Sequence, residues 1–126
     1  MAPAPTVLVV DDEPDVRVLV RAFLELGGFE VVAEAVDGAE AVREYVALDP
    51  PPIPDVVVLD NRMPVMTGLE AAALMLERHP GQVVVLFSAF LDTGLAKQAR
   101  DLGVAACVDK TQSARLPAIL RGLLAA

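Results

Sequence analysis

Short runs of aliphatic and β-branched residues alternate with longer helical patterns five times along the chain. The predicted strands cover residues 6–10, 30–35, 55–59, 82–87 and 104–108. Three of them contain almost uninterrupted apolar runs, namely VLVV, VVVL and VVVLF. Such runs are typical of strands that are covered on both faces, as in a parallel sheet, because a half-exposed strand would alternate apolar and polar residues.

The first helical pattern has a recognisable beginning, buried face and end. Pro14 suits the first turn of a helix, and Gly27-Gly28 suits its end. Between them, apolar residues at spacings of three and four predict one inward-facing stripe, made of Val16, Leu19, Val20, Phe23 and Leu24.

The starts of the second and third helices are predicted from capping residues. Asp37 with Glu40, and Thr67 with Glu70, each resemble a capping box, in which the side chains at the two positions bond each other's backbone N–H groups. These pairs place the helix starts near residues 38 and 68.

Apolar spacing predicts two more helices. The fourth is capped by Asp92 and ends at Gly103, and its inward residues are Leu95, Ala99 and Leu102. Pro117 is compatible with the fifth only in its first turn. The apolar residues of the fifth helix are Leu116, Ile119, Leu120, Leu123 and Leu124.

Five strands that alternate strictly with five helices predict a (βα)5 domain with an open parallel sheet and helices on both faces. Right-handed crossovers then favour a flavodoxin-like, doubly wound layout with strand order 2-1-3-4-5. The proline-rich segment 49–54 (DPPPIP) is interpreted as a structural loop at the opposite edge from the strands' carboxyl ends. His79 is interpreted as a loop residue without a partner at ligand spacing, and Tyr45 is placed on the flank of the second helix.

Composition agrees with one soluble domain. The chain has 126 residues, enough for one hydrophobic core, and no apolar run approaches the roughly 18 residues of a membrane span. Residues 1–5 are predicted to be a flexible N-terminus without signal-peptide features, and residues 6–126 form the domain. The single cysteine, Cys107, agrees with a reducing compartment, so a cytoplasmic location is expected.

The net charge of −8 is unevenly distributed along the chain. Residues 1–60 hold 13 acidic and 3 basic side chains, whereas residues 61–126 hold 5 acidic and 7 basic ones. The acidic surplus argues against a nucleic-acid-binding role, which requires a basic surface.

Polar residues with distinct chemistry follow the predicted strands. Asp11-Asp12 follow the first strand, Asp60 the third, Ser88 the fourth and Asp109-Lys110 the fifth. In a doubly wound sheet these strand ends share one edge, where ligands bind. Clustered carboxylates repel one another and stay ionised only around a cation, and such an oxygen-rich site suits Mg²⁺.

This set of side chains is suited to phosphoryl transfer. An aspartate facing a divalent ion can attack a phosphoryl group and form an aspartyl phosphate. The ammonium of Lys110 would neutralise charge on the phosphoryl oxygens, and Ser88 would donate a hydrogen bond to one of them.

The chain resembles the receiver domain of bacterial response regulators, of the kind found in chemotaxis regulators. Four segments at the family's spacing carry the resemblance: VLVVDDEPDVR, VVVLDNRMPVMTGLE, VVVLFSA and GVAACVDK. The resemblance implies that Asp60 is the phosphoacceptor, that Lys110 and Ser88 contact the phosphate, and that Mg²⁺ is the cofactor. It implies metal ligation by Asp11, Asp12, Asp60 and the backbone carbonyl of Arg62.

The resemblance also implies the partners. A histidine kinase would donate the phosphoryl group, and the signal would pass to a target protein or to a C-terminal output domain. A homodimer through the fourth helix, fifth strand and fifth helix is a further expectation, whereas nucleic acid and membrane are not expected partners. The domain would catalyse only its own phosphorylation and dephosphorylation.

Two positions depart from the family pattern. Cys107 stands where an aromatic residue usually reports phosphorylation, and Thr111 stands where a proline usually follows the lysine through a cis peptide bond. The peptide bond after Lys110 is therefore either trans with a rearranged loop or cis under strain. Cys107 is interpreted as a small half-buried residue, with a redox or partner-contact role as the lesser alternative.

Some alternatives stay open at this point. Arg62 either controls access to the phosphate or points into solvent, and Phe90 either covers the site or contacts the fourth helix. A pseudo-receiver that acts by constitutive interaction or dimerisation is an alternative function, because the usual switch residues are missing. An aspartate-nucleophile phosphatase is less favoured, because Arg62 stands where such enzymes carry a second aspartate.

Overall fold

The computed structural model describes residues 3–50 and 52–125. Along this part of the chain, strands and helices alternate in the order β1 (Thr6–Val10), α1 (Pro14–Leu26), β2 (Glu30–Ala35), α2 (Gly38–Ala47), β3 (Val56–Leu59), α3 (Gly68–Arg78), β4 (Val83–Ser88), α4 (Thr93–Leu102), β5 (Ala106–Asp109) and α5 (Leu116–Ala125). A 3-10 helix, Lys110–Arg115, joins β5 to α5.

The five strands form one parallel sheet in the order β2-β1-β3-β4-β5. This confirms the predicted flavodoxin-like, doubly wound (βα)5 fold and its strand order. The order reverses between β1 and β3, the point at which such sheets open a crevice at the carboxyl ends of their strands.

The apolar strands are buried on both faces, as their sequences predict. Successive side chains of a strand point to opposite faces. Val7 and Val9 of β1 pack into the layer that contains α1 and α5, whereas Leu8 and Val10 pack into the layer that contains α2, α3 and α4. The strands β1, β3 and β4 must therefore be apolar at nearly every position.

The predicted capping residues begin the helices. Thr67 and Glu70 form a complete capping box, in which Thr67 Oγ1 accepts from Glu70 N and Thr67 N donates to Glu70 Oε1. Asp37 supplies half of this arrangement, since its Oδ1 accepts from Glu40 N at 2.7 Å. Gly103 ends α4 with φ of 106°, a left-handed conformation that glycine adopts without steric cost.

Two predicted inward residues lie at the surface. Val20 and Leu24 of α1 are buried, but Leu19 is 48% exposed, because it lies about 100° around the helix from Val20. Leu102 is 37% exposed, because it is the last residue of α4 and extends beyond the sheet-facing turn centred on Ala99. The apolar spacing thus overestimates the width of the buried stripe of α1 and the length of the buried stripe of α4.

The bounds of three strands also differ from the prediction. β3 begins at Val56, one residue later than predicted, and β4 runs from Val83 to Ser88 rather than over residues 82–87. β5 runs from Ala106 to Asp109 rather than over residues 104–108. The reason at Val104 is clear, since its N–H bonds the carbonyl of Ala99 and completes the end of α4 instead of pairing with β4.

Tyr45 is a core residue and does not lie on the flank of its helix. It is 1% exposed, and its hydroxyl donates to Oε1 of the buried Gln82 at 2.7 Å. The amide nitrogen of Gln82 in turn donates to the carbonyl of Pro54 at 3.0 Å. Burial raises the pKa of Tyr45 to about 12. This network ties α2 and the segment before β3 to the start of β4.

The proline-rich loop lies at the amino end of the strands, away from their carboxyl ends. Asp49 at its start accepts hydrogen bonds from Arg78 at 3.3 Å and pairs with His79 Nε2 at 2.7 Å. The bond with His79 holds the pKa of Asp49 below its usual value. His79 thus contributes to a structural contact. Pro51 of this loop lies outside the described residues.

Residues 1–5, which are predicted to be flexible, lie partly outside the described residues. The carbonyl oxygen of Pro5 accepts a hydrogen bond from Glu30 N at 2.9 Å.

None of the helices formed by residues 3–50 and 52–125 is long and apolar enough to span a membrane.

Replacing Tyr45 by phenylalanine is expected to lower the free energy of unfolding by about 1–3 kcal/mol, because Gln82 Oε1 would stay buried without a donor. Urea unfolding followed by circular dichroism measures this difference. A Val46→Ala variant, which shortens a partly exposed side chain on the same helix, should change stability less. Equal stability of Tyr45→Phe and the parent chain would contradict the proposed importance of this hydrogen bond.

Candidate functional site

The polar residues that follow the strands come together at the carboxyl edge of the sheet. Asp11 follows β1, Asp60 follows β3, and Lys110 follows β5. Carboxylate oxygens of Asp11, Asp12 and Asp60 all lie within 4.8 Å of one another. The strand order produces this cluster, because β1 and β3 are neighbours although their ends are far apart in sequence.

The side chain of Lys110 extends into this cluster from the end of β5, which is an edge strand of the sheet. Its Nζ lies 2.7 Å from Asp11 Oδ2 and donates to Asp60 Oδ2 at 3.0 Å. Burial alone would lower the pKa of Lys110, but its contacts with these two carboxylates outweigh burial and raise it. The ammonium therefore stays charged and offsets part of the repulsion between the two acids.

Asp11 is the most deeply buried acid of the cluster. Its Oδ1 accepts from Glu13 N at 2.9 Å, and its backbone carbonyl accepts from Arg17 at 2.7 Å. Its Oδ2 is buried, and the Lys110 ammonium lies 2.7 Å from it. Burial outweighs the effect of Lys110 and raises the pKa of Asp11. Three carboxylates within 4.8 Å of one another carry more negative charge than Lys110 alone offsets, so this oxygen-rich donor set fits a divalent ion.

Asp60 is held by both its backbone and its carboxylate. Its N–H bonds Val10 O at 3.0 Å, which fixes the end of β3 against β1. Its Oδ1 accepts from Asn61 N at 2.7 Å, while Oδ2 accepts from Lys110. The side chain is 6% exposed, so little of the carboxylate is open to solvent or to a phosphodonor.

Asn61 is a site residue that the sequence reasoning missed. Its Oδ1 accepts from Leu69 N, and its backbone carbonyl accepts from Gly68 N, both at 3.0 Å. These bonds fold the β3–α3 loop back against the end of β3 and start α3 beside the acceptor position. The available signal was a short polar side chain directly after a strand, a position where asparagine often bonds the backbone of the following turn.

Ser88 and Asp12 lie at the two sides of the cluster. Ser88, the last residue of β4, is buried, and its Oγ accepts from Phe90 N at 3.2 Å, so its hydroxyl proton is available for donation. Asp12 is exposed and stands between β1 and α1, with a carboxylate oxygen among those of the cluster.

Arg62 and Phe90 pair with each other. The guanidinium carbon of Arg62 lies 3.9 Å from the centre of the Phe90 ring, a cation–π contact. Phe90 itself is 56% exposed. The contact joins the β3–α3 loop to the β4–α4 loop.

The two positions that depart from the family pattern, Cys107 and Thr111, lie on either side of Lys110. Cys107 is half-buried in β5, as expected, and burial raises the pKa of its thiol. Within residues 3–50 and 52–125, the cis peptide bond is the one between Asp49 and Pro50, so the bond between Lys110 and Thr111 is trans. Thr111 N donates to Asp109 Oδ1 at 2.8 Å, a bond that proline cannot form.

Comparison with known proteins gives a consistent family. Residues 7–121 match the model of the response regulator receiver domain. Protein-glutamate methylesterase/protein-glutamine glutaminase 3 of Hahella chejuensis is 37% identical over 113 residues, which are 88% of this chain and 31% of that protein. Chemotaxis protein CheY of Listeria monocytogenes is 39% identical over 92 residues, which are 73% of this chain and 74% of CheY.

Solved structures agree with the sequence relatives. A two-component response regulator of the LuxR family from an Aurantimonas species superimposes with a TM-score of 0.88 at 31% identity, over 97% of this chain and 86% of that one. A chain of the CheX–CheY–BeF3–Mg²⁺ complex from Borrelia burgdorferi gives a TM-score of 0.80 at 27% identity, over 89% and 87% of the two chains.

The share of each relative that this chain covers differs between the methylesterases and CheY. This chain spans between about a fifth and a third of the methylesterases that it matches, and about three quarters of CheY from Listeria monocytogenes. The shared part is the (βα)5 domain, matched by the family model over residues 7–121. The chain therefore belongs to the response regulator receiver domain family of two-component signal transduction.

Proposed function

We propose that this receiver domain accepts a phosphoryl group on Asp60 from a histidine kinase, in a step that requires Mg²⁺. The observation that carries this proposal is the position of the Asp60 carboxylate, which bonds Lys110 at 3.0 Å and lies within 4.8 Å of the carboxylates of Asp11 and Asp12. The Asp60 carboxylate, as the nucleophile, thus lies beside an ammonium group and beside the carboxylates that would bind a cation.

The reaction would exchange one bond to phosphorus for another. An oxygen of the Asp60 carboxylate forms a bond to phosphorus while the P–N bond of the donor phosphohistidine breaks, and the departing imidazole keeps the electron pair and takes up a proton. The remaining oxygen of Asp60 keeps its hydrogen bond to Asn61 N, which fixes the orientation of the attacking carboxylate.

The residues that would hold Mg²⁺ are Asp11, Asp12, Asp60 and the backbone carbonyl of Arg62. The close approach of the three carboxylates supports this assignment, because their oxygens lie within 4.8 Å of one another and Lys110 alone does not offset their charge. Bound Mg²⁺ supplies positive charge to the phosphoryl oxygens in the transition state. The Borrelia complex contains both Mg²⁺ and BeF3, which agrees with the same chemistry in a similar domain.

Lys110 and Ser88 would recognise the phosphoryl group once it is attached. The Lys110 ammonium already lies beside Asp60 and needs only a small movement to reach a phosphoryl oxygen. Ser88 ends the neighbouring strand β4 and has a hydroxyl proton to donate. Both contacts are charge-assisted and strengthen as negative charge accumulates on the phosphoryl oxygens.

The partners follow from the same proposal. The donor is a histidine kinase, and the phosphorylated domain passes its signal to a target protein or to a C-terminal output domain. A homodimer through α4, β5 and α5 is one route for that signal. We place the protein in the cytoplasm, with residues 6–126 as the receiver domain and no catalytic activity beyond its own phosphorylation and dephosphorylation.

Incubation with acetyl phosphate and Mg²⁺ is expected to add one phosphoryl group to the chain, and chelation of Mg²⁺ by EDTA is expected to prevent it. Intact-protein mass spectrometry measures the addition, and peptide mapping after borohydride reduction locates it within the segment that contains Asp60. Calcium chloride at the same ionic strength is the matched control for a charge effect. No added group at saturating Mg²⁺ would remove the basis of the proposal.

A pseudo-receiver that acts through constitutive interaction is the second candidate function. The observation that favours it is the groove between α4 and β5, which is lined by Ala96, Arg100 and Cys107 and lacks the aromatic side chain usual at residue 107. A pseudo-receiver would keep the same oligomeric state and the same partner affinity with and without beryllofluoride. A clear change of either property with beryllofluoride and Mg²⁺ would exclude this candidate.

A further inference from the structure

The position of Lys110 depends on a sharp change of chain direction. Residue 109 ends β5, and Lys110 is the first residue of the 3-10 helix Lys110–Arg115. The side chain of Lys110 must extend from this bend to reach both Asp11 and Asp60. A rotation of the bend would therefore displace the ammonium from both carboxylates.

Asp109 fixes both sides of this bend. Its backbone is extended, and it lies in register with Ser88 at the end of β4. Its side chain reaches forward across Lys110, and its Oδ1 accepts from Thr111 N at 2.8 Å. One residue is therefore anchored in the sheet and also holds the residue that follows Lys110.

The backbone N–H that donates this hydrogen bond is present because residue 111 is threonine and not proline. A proline at this position would have no N–H for Asp109 to accept. The Lys110–Thr111 peptide bond is trans, so the bend uses an ordinary backbone geometry together with the carboxylate cap. The hydrogen bond to the backbone of Thr111 lowers the pKa of Asp109, so the cap is charged at neutral pH and correspondingly strong.

We propose that Asp109 is a positioning residue for Lys110, and that its cap on Thr111 N holds the Lys110 ammonium between Asp11 and Asp60. This inference rests on the proposed function, because the position of Lys110 matters through phosphoryl transfer to Asp60. Asp109 touches neither the acceptor nor the metal ligands in its hydrogen bonds, so it acts through Lys110 alone.

The test compares phosphorylation rates of three variants with that of the parent chain, with acetyl phosphate as donor and Mg²⁺ at saturation. Asp109→Ala removes the cap and is expected to slow phosphorylation about ten- to a hundredfold, since misplacement of a catalytic group by about 1 Å has effects of this size. Asp109→Asn keeps a side-chain oxygen that can accept from Thr111 N and is expected to retain the rate within about threefold, as asparagine and aspartate are comparable caps.

Asp37→Ala is the matched control. Asp37 caps α2 through the same kind of bond, with Oδ1 accepting from Glu40 N at 2.7 Å, but it follows β2 at the opposite edge of the sheet from β5. Loss of this cap is expected to lower the urea midpoint about as much as Asp109→Ala does, with the phosphorylation rate unchanged. The dissociation constant of Mg²⁺, measured by calorimetry, is expected to stay the same in both alanine variants.

A second measurement separates this inference from the proposed function. The side-chain NMR signals of Lys110 report its order without any phosphoryl donor, and they are expected to broaden in Asp109→Ala and to recover in Asp109→Asn. If the parent chain takes up no phosphoryl group, the proposed function fails, and the NMR comparison alone decides whether Asp109 positions Lys110. Unchanged rate and Lys110 signals in Asp109→Ala, or equal losses in the alanine and asparagine variants, would overturn the inference.

Discussion

The Asp60→Asn chain is expected to take up no phosphoryl group from acetyl phosphate, even at saturating Mg²⁺. An amide oxygen is a poor nucleophile, and the substitution also removes the negative charge that Lys110 pairs with at 3.0 Å. The fold should persist, because the asparagine oxygen can still accept from Asn61 N and because one acid fewer reduces the repulsion within the cluster. Intact-protein mass spectrometry and a urea titration measure the two effects.

Asp101→Asn is the control for this substitution. Asp101 lies on α4, is exposed, and pairs with Lys97 one turn away. Loss of this exposed carboxylate should leave phosphorylation unchanged and stability within about 1 kcal/mol of the parent chain. Incorporation in Asp60→Asn at the parent rate would mean that another residue is the acceptor.

Substitution of Gly68 by alanine is expected to destabilise the protein by about 2–3 kcal/mol, because the added methyl group has no space. A Cβ atom at residue 68 would overlap the carbonyl oxygen of Asp60 and lie 2.9 Å from Asn61 Cα. Both are backbone atoms, so the loop or the start of α3 must shift. Since the displaced carbonyl belongs to the acceptor residue, the phosphorylation rate should fall as well.

Gly122→Ala is a matched control, because it makes the same chemical change in a helix. Nothing lies within 4 Å of a Cβ at residue 122, which is an exposed position of α5. Alanine there should stabilise the protein by about 0.5–1 kcal/mol through its better helix propensity. Both substitutions restrict the unfolded chain similarly, so the difference between their urea midpoints reports the steric conflict at Gly68. Equal effects of the two substitutions would contradict it.

The sequence by itself determined the architecture and the composition of the site. Strands such as Val56–Leu59 are apolar at every position, which only a sheet covered on both faces accommodates. The capping pair Thr67 and Glu70 predicted the start of α3 within one residue. Because parallel strands end at one edge, the acids after β1 and β3 had to meet the lysine after β5.

Only the tertiary structure decided how individual side chains are used. Tyr45 was predicted at the helix flank, but it is buried because Gln82, 37 residues later, supplies an acceptor for its hydroxyl. The sequence shows Asp109 only as an acid at the end of a strand, whereas the structure places Thr111 N 2.8 Å from its Oδ1. Periodicity describes neighbours on one element, whereas these contacts join elements that are distant in sequence, and their geometry follows from packing.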